Sequence, residues 1–444
     1  MKNKGKFRNT IMSLMVFIIT VNYIDRGALA YAQEPIIKMF NLDPASWGWV
    51  LGFFGYGYIV GTLFGGALAD KKGPKFVWVL SVTLWSIFAI ATAWAGDIGM
   101  FLFGSAIVGF ALCRIVFGLA EGPVYATMNR TIANWVPIKD RTFYVGIGLI
   151  GTPLGALLTA PIAVGLLAIS DWKTMFIILG VAGLIWIVIW NKVFTNMPEE
   201  HPNVSKEELS IIREGQDELE PVKNQSEPKA APIKWYDFFK NTSLILNSIS
   251  FFAFNYVNFL ILTWTPKYLQ DVFDFKLSSL WYLGMVPWIG AVFTVFLGGK
   301  LSTVLSEKSG SFRIARSGVV MVCLLITSVC FFIIPYMNSI TAILLLMMFG
   351  NAINTLPQSI YWAIVIDAAP SKAGTFSGIT HFIITSASII APTLTGVLVA
   401  AQGYGAMFNA ASLIAFIGMI SMFFVKPSNT NIKQQELPQK LNTV

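Results

Sequence analysis

Residues 66–75 read GALADKKGPK and carry the chain from one long apolar stretch, residues 47–69, through a charged turn into a second, residues 76–95. Glycines at the end of the first stretch allow helices to pack closely, and the acid and basic cluster mark a turn in water. A degraded counterpart, GGKLSTVLSEKSG, occupies residues 298–310. The repeat predicts that the chain consists of two related halves.

The composition identifies the surroundings of these halves. The chain has 444 residues, of which 55% are hydrophobic and only 12% are charged, about half the charged fraction of soluble domains. A bilayer is spanned by about 20 apolar residues. Twelve stretches of this kind fall at residues 11–32, 47–69, 76–95, 99–128, 143–166, 174–194, 243–266, 280–299, 317–335, 339–366, 375–401 and 404–425. We therefore predict an all-α membrane protein with twelve transmembrane helices.

One polar stretch divides the twelve spans equally. We predict a six-helix bundle over residues 1–194, a central loop over 195–240, a second six-helix bundle over 241–425 and a tail over 426–444. The basic start MKNKGKFRNT is followed by no small-residue cleavage site, so we expect the first span to be retained and not to be a cleaved signal.

The basic residues predict the orientation in the membrane. Of the 31 Lys and Arg, Arg26 and Arg114 lie within spans. If both termini are cytoplasmic, four fall on the outer side, and the remaining 25 face the cytoplasm. The four are Lys38, Lys173, Lys267 and Lys276. Because cytoplasmic loops carry the excess of basic residues, we predict a multi-pass inner-membrane protein with the central loop, the tail and both termini inside.

Several classes of function are disfavoured. The three cysteines, Cys113, Cys323 and Cys330, lie within apolar stretches, as small packing residues do. The two histidines, His201 and His381, lie far apart without cysteine neighbours, so we expect neither a metal site nor a cofactor. The net charge of +8 lies in short segments between apolar stretches, which membrane orientation explains better than a nucleic-acid partner.

Four charged side chains lie well inside the spans. Asp25 and Arg26 lie in the first, and Arg114 and Glu121 lie seven residues apart in the fourth, two turns along one helix face. Such residues are costly in a bilayer and usually functional. Acids that take up protons would free an arginine to bind an anion bidentately. Because the four charges sum to zero, a purely structural network of ion pairs is the alternative. The side chains of adjacent residues on a helix point in different directions, so we expect Asp25 and Arg26 to have separate partners.

The charged turn at residues 66–75 resembles the signature loop of the major facilitator superfamily. Gly66, Asp70, Lys71, Gly73 and Lys75 stand at the offsets of that motif. The resemblance implies a gating loop that latches neighbouring helices in one conformation and releases them in the other. The alternative is that this turn serves only as an orientation signal.

Five further stretches together resemble the anion:cation symporter family of bacterial galactonate, glucarate and hexuronate importers. They are NYIDRGALA (22–30), RIVFGLAEGP (114–123), NRTIANWVPIKDR (129–141), LTWTPKYL (262–269) and SIYWAIVIDAAPSKAG (359–374). The resemblance implies a major facilitator fold of two six-helix halves. By position it implies proton coupling at Asp25 and Glu121, a substrate carboxylate at Arg26, a charge network through Arg114, and a pocket with Tyr23, Tyr58, Ser359 and Trp362.

Three positions depart from the pattern of that family. Thr152 stands where galactonate-type members have a glutamine, and His381 stands where they have an asparagine. Tyr361 replaces a smaller hydroxyl residue. We expect all three to line the substrate pocket and to alter the choice of sugar acid, although His381 is equally compatible with a role in packing alone.

The sequence therefore predicts proton-coupled import of an organic anion by alternating access, the anion being a hexonate, hexarate or hexuronate. The expected partners are this anion, protons and the lipid bilayer, and the expected state is a monomer. A tartrate- or phthalate-like carboxylate is an alternative substrate. An organophosphate exchanger would need an arginine from each half, and the seventh span has none. A membrane sensor or a lipid-modifying enzyme would need a large soluble domain or a catalytic constellation.

Overall fold

The fold was analysed in a computed structural model that describes residues 7–137, 140–213, 234–368 and 373–427. The described residues form helices and no strand, which confirms the predicted all-α fold. Most of the predicted tail, the middle of the central loop and the first six residues lie outside the described residues.

Twelve helical segments in the described residues are long and apolar enough to cross a membrane, as predicted. The first six spans are Phe7–Tyr31, Pro44–Lys72, Pro74–Phe103, Ala106–Trp135, Phe143–Ile169 and Trp172–Val193. The second six are Thr242–Phe273, Leu277–Ser309, Arg313–Tyr336, Ile340–Ala368, Thr375–Gln402 and Tyr404–Phe423. Short helices lie between spans at Gln33–Phe40, Pro198–Glu200, Lys206–Arg213 and Trp235–Lys240.

Two corresponding spans are broken near their middle by a proline. The fourth span consists of helices Ala106–Glu121 and Val124–Trp135, which meet at Pro123. The tenth consists of Ile340–Thr355 and Gln358–Ala368, which meet at Pro357. A proline has no N–H to continue the helical ladder, and breaks of this kind are tolerated in a membrane protein where neighbouring groups line a cavity or satisfy the freed backbone.

Glycines bring the second and fourth spans into backbone contact. A Cβ atom added to Gly57 would lie 1.7 Å from the carbonyl oxygen of Ile115, and one added to Gly118 would lie 2.0 Å from that of Phe54. Neither position can accept a larger residue without moving a helix. This close approach places the aromatic face of the second span against the charged residues of the fourth.

The two halves meet through the first and seventh, second and eleventh, and fifth and eighth spans. We call the end of the bundle that bears Phe7 and Phe423 the terminal face, and the other end the opposite face. Near the opposite face the halves touch closely, since a Cβ added to Gly48 would lie 2.8 Å from the Pro392 oxygen and 3.0 Å from the Gly396 Cα.

The described start of the central loop packs on the terminal face of the first half. The buried carboxylate of Glu208 accepts hydrogen bonds of 3.0 Å from the backbone N–H groups of Phe7 and Arg8, at the start of the first span. His201 stacks on Phe7 at 4.1 Å between ring centroids. Burial lowers the pKa of His201, as does the charge of Lys75, while a backbone hydrogen bond opposes them.

Candidate functional site

A buried ion pair joins the first and fourth spans. Arg26 donates to one carboxylate oxygen of Glu121 through Nη2 at 2.8 Å and Nε at 3.2 Å. Its Nη2 also donates to the amide oxygen of Asn22 at 3.3 Å. The side chain of Arg26 is 2% exposed and that of Glu121 is 0% exposed. Since a buried ion that loses its partner is strongly destabilised, each group needs a replacement whenever the pair opens.

The other two charges of the spans have different surroundings. Neither carboxylate oxygen of Asp25 has a hydrogen-bond partner, although the residue is only 2% exposed. Within the described part of the chain, Arg114 forms no ion pair shorter than 4.0 Å, and its buried Nε is unpartnered. The two acids therefore differ, since Glu121 neutralises a guanidinium while Asp25 lies in a site that suits an uncharged carboxyl group.

Aromatic rings enclose the guanidinium of Arg26. Its Cζ lies 4.6 Å from the ring centroids of Tyr23, Phe54 and Tyr58, and 6.0 Å from that of Phe259. These distances are within the range of cation–π attraction. Phe259 belongs to the seventh span, so the cage is completed by the other half of the molecule.

A small cavity of about 40 Å³ lies beside this cage, between the halves. It is lined by Tyr23, Thr152, Pro153, Phe254, Asn255, Asn258, Phe259, Leu262, Trp288, Thr355 and Gln358. A space of this size holds a few water molecules and is too small for a six-carbon acid. In this conformation the site therefore has no room for such a molecule.

A larger groove, of about 1090 Å³, is lined by residues of the first, fifth and sixth spans. Its lining is mainly apolar, and none of the four charged residues of the spans contributes to it. Two lining residues, Phe17 and Phe143, are more than half exposed. A bilayer would cover such a groove with acyl chains, so we place the functional site at the charged residues.

His381 lies where the two halves meet. Its ring centroid is 6.4 Å from that of Tyr58 in the first half and 5.9 Å from that of Trp362 in the second. The structure thus places His381 beside the cage of Arg26 and Trp362 against His381, and a pocket role for both stays a prediction.

Tyr361 does not face the cavity, which corrects its predicted place in the pocket. Its side chain is fully buried within the second half, stacked on Phe251 at 4.4 Å with an interplanar angle of 2°. Its hydroxyl lies 3.3 Å from that of Ser250. Adjacent helical residues point in different directions, so Trp362 contacts His381 while Tyr361 packs in the core. Ser359 lies against Gly299 of the eighth span. Its hydroxyl oxygen is 3.4 Å from the position that a Cβ added to Gly299 would take.

Thr152 lies in the cavity wall with its hydroxyl occupied. Its Oγ1 is 2.6 Å from the hydroxyl of Tyr125 in the fourth span. The pair connects the fifth span to the helix that follows Glu121. At the position where galactonate-type members of the resembled family have a glutamine, this chain has a shorter hydroxyl side chain that is hydrogen-bonded to a tyrosine.

The charged turn at residues 66–75 contacts other parts of the first half. Asp70 lies 3.6 Å from Arg130 in an exposed pair, a type that contributes little to stability. Gly73 adopts a φ of +82° and faces Asn196, whose side chain accepts a 2.9 Å hydrogen bond from the Lys75 N–H. Gly66 lies near Ala126, and Lys71 is exposed. A latch between conformations stays a prediction.

Several residues of the site were not predicted. Phe54, Phe259 and Tyr125 are aromatic residues of apolar spans, and no sequence signal separates them from the other aromatic residues that face lipid or core. Asn22 carries a signal, since it is a polar residue one turn before Arg26. Its position would have identified it as a partner of that arginine.

The chain is similar to known proteins over most of its length. The family model described as Major Facilitator Superfamily matches residues 15–392. The hexuronate transporter of Bacillus subtilis (strain 168) is 30% identical over 414 residues, 92% of this chain and 92% of that protein. The probable sulfoacetate transporter SauU of Cupriavidus necator is 28% identical, covering 96% of each chain. The probable galactarate/D-glucarate transporter GudP of Bacillus subtilis is 29% identical, covering 94% of this chain and 90% of its own.

A solved structure has the same fold. The crystal structure of a bacterial homologue of the human lysosomal transporter Spinster, in an inward-facing and occupied conformation, superposes with a TM-score of 0.74. The match covers 95% of this chain and 97% of that one at 17% identity, so the likeness concerns the fold alone.

Proposed function

The chain belongs to the Major Facilitator Superfamily of membrane transporters and is not an enzyme, and on that basis we propose that it imports a sugar acid together with protons. The observation that carries this proposal is the buried pair between Arg26 and Glu121, next to an unpartnered Asp25. A single guanidinium is shared in turn by a protein carboxylate and by the carboxylate of the substrate.

In the proposed cycle, protons load Asp25 and Glu121 while the site is open to the outside. Protonation of Glu121 removes the negative charge that holds Arg26, and the freed planar guanidinium binds the substrate carboxylate bidentately. The loaded halves close and reopen to the inside. Loss of the protons restores the carboxylate of Glu121, which competes for Arg26 and displaces the anion.

The second half supplies groups suited to the hydroxyls of a sugar acid. Asn255, Asn258, Thr355 and Gln358 line the cavity. The amides of Asn255 and Asn258 donate to carbonyls of their own helix at 3.1 and 2.9 Å, which leaves their oxygens as acceptors. A substrate with one carboxylate and several hydroxyls thus matches one arginine in the first half and neutral polar groups in the second.

We place the terminal face on the cytoplasmic side of the inner membrane, because this face carries the excess of Lys and Arg. A single cysteine at the exposed position of Lys308 should react with an impermeant maleimide only after the cells are opened. Reaction in intact cells would reverse this orientation.

The proposal is tested by uptake into liposomes that contain the purified protein. The panel comprises D-glucuronate, D-galactonate, D-glucarate, sulfoacetate, tartrate and a sugar phosphate, each radiolabelled, with and without an inward proton gradient. We expect uphill accumulation of a hexuronate, hexonate or hexarate that a protonophore abolishes. Arg26→Ala should abolish uptake, whereas Arg313→Ala, a change at an exposed arginine of the terminal face, should retain it.

Other outcomes of the panel would contradict the proposal in different ways. Accumulation of sulfoacetate or tartrate alone would replace the sugar acid and retain the charge mechanism. Exchange of sugar phosphate without a proton gradient would indicate an antiporter. Uptake that never concentrates the substrate above its outside level, whatever the proton gradient, would contradict proton coupling.

A further inference from the structure

One phenyl ring contacts both arginines of the membrane-spanning region. The centroid of Phe54 lies 4.6 Å from Cζ of Arg26 and 5.2 Å from Cζ of Arg114. The ring is 2% exposed and stacks on Tyr58 at 5.2 Å between centroids. The carbonyl of Phe54 abuts Gly118, so the backbone contact between the second and fourth spans fixes the position of the ring.

The pairing of charges around this ring is unequal. Arg114 and Glu121 share a helix face, yet Glu121 bonds to Arg26. The guanidinium of Arg114 lies instead over Phe54 and Phe117, the latter at 5.0 Å. The negative faces of aromatic rings stabilise a cation without neutralising it. Two rings thus hold Arg114 where it needs no carboxylate.

We propose that Phe54 is a positioning residue for proton exchange, because its ring holds Arg114 away from the two acids and keeps Glu121 with Arg26. The inference rests on the proposed function, in which these acids exchange protons. Without the aromatic face, Arg114 gains by moving onto Asp25 or Glu121. A carboxylate next to an additional cation holds a proton less tightly, so proton uptake should then require a lower pH.

Other groups of the neighbouring spans face the same charges. They are Tyr23 of the first span, Tyr58 of the second, Cys113 and Tyr125 of the fourth and His381 of the eleventh. All five are retained in the variants below, so their contribution to the pH dependence is the same in each.

The test is an infrared titration of the purified protein without substrate. Protonated buried carboxyl groups give a separate C=O band, which is assigned by its loss in Asp25→Asn and Glu121→Gln. Phe54→Met keeps the apolar volume and removes the aromatic face, whereas Phe54→Tyr keeps the face. Phe110→Met is the matched control, because Phe110 is a fully buried ring of the fourth span that packs near Phe40 and, among the described residues, forms no cation–π contact with an arginine.

We expect the titration midpoint in Phe54→Met to move towards acid by about 0.5 to 1 pH unit, with parent values in Phe54→Tyr and Phe110→Met. Phe54→Leu replaces Phe54→Met if the latter does not give a folded protein. An unmoved midpoint in the variants without the ring overturns the inference, as does an equal shift in Phe110→Met or the absence of a titrating band in the parent.

Sugar-acid uptake by the parent is measured in parallel. Failed uptake with a shifted midpoint rejects the proposed function alone, and normal uptake with an unmoved midpoint rejects the inference alone.

Discussion

The pairing of Arg26 with Glu121 joins residues 95 positions apart in the sequence. It gives the two acids of the spans different roles in the closed conformation. Glu121 bonds directly to the arginine, while Asp25 is adjacent to that arginine in sequence but does not bond to it. A change at Glu121 is therefore expected to act on the arginine directly, and a change at Asp25 only through the shared helix.

The first prediction concerns Glu121→Gln. A neutral amide imitates the protonated acid and cannot return to the charged form, so uphill accumulation should be lost while exchange of labelled for unlabelled substrate persists. The measurement compares gradient-driven uptake with counterflow in the same liposomes. Asp25→Asn should uncouple transport as well, with a smaller effect on binding because Arg26 keeps its partner. Unchanged uphill uptake in Glu121→Gln would assign coupling to other groups.

At the scale of elements, the start of the first span depends on a distant segment. The first N–H groups of a helix have no partner within the helix, and here the carboxylate of Glu208 accepts two of them. Glu208 lies in helix Lys206–Arg213 of the central loop. A negative group at a helix N-terminus is also favoured by the helix dipole. The loop thus anchors the span that carries Asp25 and Arg26.

The second prediction is that Glu208→Ala destabilises this anchor by about 1–2 kcal/mol, the range of a lost helix cap. Glu208→Gln, which keeps an acceptor oxygen without the charge, should lie between Glu208→Ala and the parent. Hydrogen exchange at the first turn of the first span should quicken, and the thermal midpoint in detergent should fall. Glu307→Ala, a change at an exposed glutamate of the same face, serves as the control. Equal protection in Glu208→Ala, Glu208→Gln and the parent would show that the first turn is held by other contacts.

At the scale of the whole molecule, the halves are closed near the opposite face by the second and eleventh spans. Backbone atoms of Gly48 and Gly396 approach so closely that neither position has room for a side chain. The indole N–H of Trp264 in the seventh span adds a 3.1 Å hydrogen bond to the Pro392 carbonyl of the eleventh. Alternating access requires this contact to open as a unit, because packed backbones cannot deform gradually.

The third prediction is that Gly48→Val wedges the halves apart at the opposite face. Its Cβ would meet the Pro392 oxygen and the Gly396 Cα, both of which are backbone atoms. A cysteine introduced at the cavity position of Asn258 should then react severalfold faster with an impermeant maleimide added outside intact cells. The native cysteines are buried and contribute little background.

Two further variants make this test decisive. Gly396→Val should act like Gly48→Val, because it enters the same contact from the other helix. Gly165→Val should leave labelling unchanged, since a Cβ at Gly165 meets no atom within 4 Å. Parent-like labelling in both wedge variants, with normal protein levels, would show that this contact does not close the site.

The sequence by itself determined the number of spans, the polar turns between them and the presence of two acids and two arginines in the membrane. These are local properties, because the length of an apolar stretch and the cost of a charge within it do not depend on distant residues. The same reasoning supported the resemblance that identified Asp25, Arg26, Arg114 and Glu121.

Only the tertiary structure decided which acid pairs with Arg26, that Trp362 and not Tyr361 contacts His381, and that Phe54 lies against both arginines. These features depend on the rotation and register of helices far apart in the sequence. Close backbone contacts such as that of Gly118 with the Phe54 carbonyl set this register. An aromatic residue in an apolar span has the same sequence signature whether it faces lipid, core or a guanidinium, so its role follows from its neighbours in space.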